Sequence, residues 1–192
     1  MPVTFPSLRH FLFKGHGSYL EALVLRITPC LEKLEIHVSD ESRFSFPCLA
    51  RFIDTAENLT FEAVKITFSD LRISMAVYPR GQAEICALSM DVSGRDSDWQ
   101  ASWVEQISNL FGQIFSSVER LTLELEVVID FWADEESSFE PDRVEWRQLI
   151  GSFSIVKTLI IDDVLAQGVS RCLQLDDGEF RLELLPELQE LT

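Results

Sequence analysis

One short motif recurs from end to end of the 192-residue chain and constrains its fold more than any other feature. It is an apolar residue followed three positions on by a second and then, in alternation, by a third. The copy in Val118–Leu125 is the fullest: Leu121, Leu123 and Leu125 alternate with Arg120, Thr122 and Glu124. A period of two puts the leucines on one face of a strand and the polar residues on the other. Further copies begin at Leu8, Leu31, Phe61, Ile85, Val156 and Leu188. Their central residues stand at 11, 34, 64, 88, 121, 159 and 191, with steps of 23, 30, 24, 33, 38 and 32.

Helical spacing fills most of the gaps. Leu20, Leu23, Val24 and Ile27 share a helical face, opened by a capping box of Ser18 and Glu21 and stopped by Pro29. Leu49, Phe52, Ile53 and Ala56 form a second stripe. Trp103, Ile107, Leu110, Phe111 and Ile114 form a third, with N-cap candidates at Asp96-Ser97-Asp98. Trp146, Leu149, Ile150 and Phe153 follow, then Leu165, Val169, Cys172 and Leu173. The region 61–92 is richer in strand: Leu71, Ile73, Met75 and Val77 alternate ahead of a turn at Pro79-Arg80-Gly81-Gln82. A single strand–helix unit cannot bury its own apolar face, whereas stacked units share one core. The expected fold is therefore an α/β solenoid of strand–helix units over residues 1–192. Its sheet is largely parallel, with an antiparallel hairpin inserted near 61–92. An ordinary α/β sandwich with similar strands is the alternative.

Charge narrows the partners. The chain has 16 Lys and Arg against 32 Asp and Glu, a net charge of −16. Such a chain offers no clustered cations for a phosphate backbone or an anionic membrane, so neither nucleic acid nor membrane is an expected partner. A hydrophobic fraction of 46% excludes a disordered chain. No apolar run is long enough for a membrane helix, and the first residues lack the cationic start and apolar core of a signal peptide. Cys30, Cys48, Cys86 and Cys172 are too scattered for a CxxC motif or a disulfide scaffold. Cys30, Cys48 and Cys86 sit among apolar or small residues and read as buried thiols. Cytoplasm or nucleus is the expected compartment, and the sequon at Asn58-Leu59-Thr60 does not change it.

The segments Leu31–Ile36, Val118–Leu123 and Val156–Ile161 resemble degenerate leucine-rich repeats, without the Asn or Cys that normally follows the core. Phe5–Phe11, Ser116–Leu121 and Leu185–Leu191 are similar to the C-terminal repeat region of fungal F-box-like proteins. In that family an N-terminal F-box binds the Skp1-type adaptor of a cullin ubiquitin ligase, and the repeats select the protein substrate. No F-box is present in these residues, so the resemblance implies the substrate-selecting role alone. An adaptor contact would require an F-box upstream. Both ends fall at strand motifs, so the full protein is expected to extend at least beyond Thr192.

Catalytic and metal motifs are absent from the pattern, and neither an enzyme nor a cofactor is expected. His10, His16 and His37 lack ligand-spaced partners. Asp134-Glu135-Glu136, Asp162-Asp163 and Asp176-Asp177 lack the order of a calcium loop. Gly15-His16-Gly17 is too short for a phosphate loop, and no serine sits in a nucleophile elbow. The candidate binding residues are those that alternate with the buried ones. They are His10, Leu12 and Lys14; Lys33, Glu35 and His37; Lys65 and Thr67; Ser89 and Asp91; Arg120, Thr122 and Glu124; and Thr158, Ile160 and Asp162. Such a row on an open sheet suits recognition of a protein partner. The loop Phe131–Phe139, aromatic at both ends and acidic within, is a second candidate. The other functional readings are a repeat scaffold unconnected to ubiquitin and an α/β enzyme with an unrecognised site.

Overall fold

The computed structural model describes residues 3–4, 8–28, 31–39, 46–55, 61–69, 72–82, 85–93, 107–108, 111–112, 114–126, 143–174 and 184–192. The Phe131–Phe139 loop, Asn58–Thr60, Asp96–Asp98, Asp176-Asp177 and Cys30 lie outside those residues.

The described residues form ten strands: β1 (Val3–Thr4), β2 (His10–Gly15), β3 (Ile27–Thr28), β4 (Lys33–Ser39), β5 (Phe61–Ser69), β6 (Arg72–Pro79), β7 (Leu88–Ser93), β8 (Arg120–Leu125), β9 (Thr158–Ile161) and β10 (Glu190–Leu191). The helices with both ends described are α1 (Gly17–Val24), α2 (Pro47–Asp54), α3 (Arg143–Gly151) and α4 (Asp163–Leu173). Ile107, Ser108, Phe111, Gly112, Ile114 and Phe115 are also helical. β1 and β3 make a small parallel pair. The other eight strands form a single sheet in the order β10-β9-β8-β5-β6-β7-β4-β2. Every neighbouring pair is parallel except β5/β6 and β6/β7, so β6 alone runs against the rest.

The molecule is thus a mixed α/β structure on a mostly parallel sheet, with antiparallel pairing at 61–93 close to where the sequence places it. The order of those strands is a further finding. From β4 the chain passes over two strand positions to β5, and β6 and β7 then return toward β4.

The recurring motif maps onto the sheet in register. Phe11 pairs with Leu34 and Leu34 with Leu88; Val77 joins Leu88 to Val64; Val64 pairs with Leu121, Leu121 with Leu159, and Leu159 with Leu191. All seven central residues therefore lie on one line across the sheet, completed by Val77. Leu34, Leu88, Val77, Val64, Leu121 and Leu159 are buried.

They join one core with Leu20 and Val24 of α1, Leu49, Phe52 and Ile53 of α2, Ile107, Phe111 and Phe115, Trp146 and Ile150 of α3, and Leu165 and Val169 of α4. Phe115 stacks on Phe153 with ring centres 4.3 Å apart. The helices thus cover one face of the sheet.

Local chemistry sets the helix ends. Pro47 fixes the first turn of α2. The Asp162 carboxylate accepts the Val164 N–H at 3.1 Å and caps α4. At the other end of α4, Arg147 Nε donates to the Cys172 carbonyl at 2.9 Å, a cation at the negative end of the helix dipole. Gln82 N–H donates to the Pro79 carbonyl at 3.2 Å, and Gly81 supplies the φ of 75° that this turn needs.

Three local expectations change. Helix α1 ends at Val24, and Ile27 pairs with Val3 in β3, because a strand partner is available. Glu21 does not cap its own helix: α1 starts after His16 with no side-chain cap, and the Glu21 carboxylate reaches α2. Ile85 is exposed outside β7, since the chain enters that strand only at Leu88. Among the described thiols, Cys172 is the fully buried one and Cys48 and Cys86 are half-buried. Burial pushes the Cys172 thiol up to about 11.

Candidate functional site

Side chains of opposite parity to the core occupy the second face of the sheet. All but Ser69 at the end of β5 are exposed or half-exposed, and no described helix packs on them. Register groups them into rows. One runs Leu12, Glu35, Ser89, Ala76, Lys65, Thr122, Ile160; the next runs Lys14, His37, Asp91, Ser74, Thr67, Glu124. His10 pairs with Lys33 at one corner, and Arg120 with Thr158 at another.

The structure therefore brings His10, Lys14, Lys33, Glu35, His37, Lys65, Ser89, Asp91, Arg120, Thr122, Glu124 and Thr158 onto one surface. Asp162 leaves that surface, because its carboxylate is engaged in capping α4. Sequence reasoning missed the contribution of β6, where Arg72, Ser74 and Ala76 alternate with Ile73, Met75 and Val77 and complete the rows. The alternation was visible, but its place in the sheet was not. Glu126 and Glu190 extend the same face at its margins.

Opposite charges pair across the strands. Lys65 meets Glu124 at 2.7 Å, Arg72 meets Glu126 at 2.7 Å, and His37 Nδ1 meets Asp91 at 2.7 Å. Lys33 pairs with Glu35 along β4. Their hydrogen bond holds the Lys33 ammonium above its ordinary 10.5 and the Glu35 carboxyl below its ordinary 4.5. Solvent screens pairs of this kind, so each adds little to stability. Their larger effect is to fix a charge pattern. The face carries Lys14, Lys33, Lys65, Arg72 and Arg120 against Glu35, Asp91, Glu124, Glu126 and Glu190. It is balanced in a chain of net charge −16, so the acidic excess lies elsewhere.

At the entry to β8 and β9, Glu119 binds Lys157 at 2.8 Å and Arg80 at 2.9 Å. The Lys157 hydrogen bond and charge, with help from Arg80, hold the Glu119 carboxyl below its ordinary 4.5. A lowered folded-state pKa gives stability that is present above the unfolded value and lost as pH falls through the folded one. Glu119→Gln is therefore expected to lower Tm at about pH 7, with a smaller deficit at about pH 3. Thermal scans at the two pH values read this directly, and an equal deficit at both would refute it.

Among the described residues no group of three or more His, Cys, Asp or Glu converges on a metal-sized site. No described helix is long and apolar enough to cross a membrane. Comparison of the chain with protein-family models, curated proteins and solved structures found no match.

Proposed function

We propose that this chain is a non-catalytic protein-recognition domain of leucine-rich-repeat-like build, and that the open sheet face takes the partner. In this reading it is the substrate-selecting region of an F-box-like ubiquitin ligase subunit, acting in the cytoplasm or nucleus. The observation that carries the recognition role is an eight-stranded sheet with helices on one face and ordered charged rows on the other. A surface of fixed alternating charge selects partners by local complementarity. The alignment of all seven motif copies on one register line supports the repeat build, with β5–β7 as an insert that interrupts sequential winding. The ubiquitin link rests on the resemblance of Phe5–Phe11, Ser116–Leu121 and Leu185–Leu191 alone.

Arg120 and Glu124 stand four residues apart on β8, both on the proposed surface. Replacing both with alanine is expected to weaken partner capture from cell extract about tenfold, the equivalent of about 1.4 kcal/mol. Circular dichroism and Tm should stay close to the parent. Undiminished capture by a folded double variant would overturn the assignment of this face.

A further inference from the structure

We propose that the carboxyl ends of β2, β4 and β7, together with the start of β6, form a binding site for a small oxyanion, either a phosphate group or a carboxylate. A depression of about 300 Å³ opens there, lined by Lys14, His37, Ser39, Arg72, Asp91 and Ser93. Gly15 also lines it and adds no side chain. The region outside the carboxyl ends of parallel strands is where open α/β sheets hold ligands. Its volume is at the small end of ligand sites and suits a molecule of few heavy atoms.

The lining selects charge. Five of those six side chains carry hydrogen-bond donors. The sixth, Asp91, already accepts from His37 Nδ1 at 2.7 Å. Arg72 gives one terminal nitrogen to Glu126 at 2.7 Å, and a guanidinium has further N–H groups to offer. Lys14 forms no ion pair among the described residues. A cation entering here would meet two fixed positive charges. An oxyanion would meet donors from Lys14, Ser39 and Arg72 on three separate strands, which only the folded sheet brings together. Asp91 holds the His37 ring through Nδ1, which fixes its orientation at the rim of the depression. This site stands independently of the protein-recognition reading.

The test is a titration of the full chain at constant ionic strength, with inorganic phosphate in one arm and succinate in the other. The His37 ring and the Lys14 ε-methylene are followed by NMR. A saturable shift at both residues is expected, weakened at least about tenfold in Lys14→Ala and in Arg72→Gln. Saturation by phosphate alone identifies a phosphate ligand, and by succinate alone a carboxylate. Lys157→Ala, on the loop before β9, should titrate like the parent. Shifts that stay linear and match those from sodium chloride would overturn the site. So would saturation that both folded variants leave unchanged.

Discussion

Replacing Trp146 with alanine is expected to lower the unfolding free energy by about 3–5 kcal/mol. Trp146 is the largest fully buried side chain among the described residues, 1% exposed, and it sits edge-on to Phe68 of β5 with ring centres 5.8 Å apart. It therefore locks α3 to the middle of the sheet. Its indole N–H has no hydrogen-bond partner among the described residues and faces Gly168 of α4. A Cβ at Gly168 would lie 2.9 Å from that nitrogen.

Two contrasts follow. Trp146→Phe keeps most of the ring and removes the unpaired donor, so its cost should be about 1 kcal/mol or less. Gly168→Ala would ordinarily gain about 1 kcal/mol of helix propensity, but here overpacking should cost about 1–3 kcal/mol. In the Trp146→Phe background that cost should shrink. Urea unfolding of the parent and these four variants measures each term. Equal losses for Trp146→Ala and Trp146→Phe would show that the ring is not what packs the interface.

Glu21→Ala is expected to cost about 2–3 kcal/mol, an unusual amount for a half-buried carboxylate on a short helix. Its two oxygens accept the Cys48 and Leu49 N–H groups, each at 2.9 Å. These are free donors of the first turn of α2, whose own N-cap, Phe46, offers no side-chain acceptor. A negative charge there also meets the positive end of the helix dipole. Glu21→Gln retains an acceptor and should lose about 1 kcal/mol. Hydrogen exchange at Cys48 and Leu49 localises the effect: both amides should exchange faster in the alanine variant while β8 keeps its protection. Unchanged protection at those amides would show that the carboxylate is dispensable to the cap. The same carboxylate raises the Cys48 thiol above its ordinary value, chiefly by hydrogen bonding.

These two sites also show what could be read in the residues. Period-two alternation in Leu121–Leu125 and helical spacing in Trp146–Phe153 identified elements and faces, because each depends only on near neighbours along the chain. Most of the open face followed from the same parity. Glu21 was misread because Ser18 and Glu21 fit a local capping box, whereas the true partners lie 27 and 28 residues on. Ile27 shows the same conflict, a helical spacing overridden by a strand partner at Val3. The alternation at Arg72–Val77 marked β6 as extended but carried no sign of its direction or neighbours. The depression at Lys14, His37 and Arg72 depends on that placement, so no linear motif announces it.

The reversed β5–β6–β7 segment has a consequence for how the molecule assembles. Within the sheet, β2 and β4 hydrogen-bond to none of β8, β9 and β10, and among the described strands the central meander bridges the two flanks. A simple array could grow from any unit to its neighbour, each step closing a short loop. Here the meander can form from contacts close in sequence, but docking Leu34 on Leu88 and Val64 on Leu121 closes far longer loops. The meander is thus the natural nucleus of folding, and β6, the one strand running against the others, is the keystone that makes two half-sheets into one.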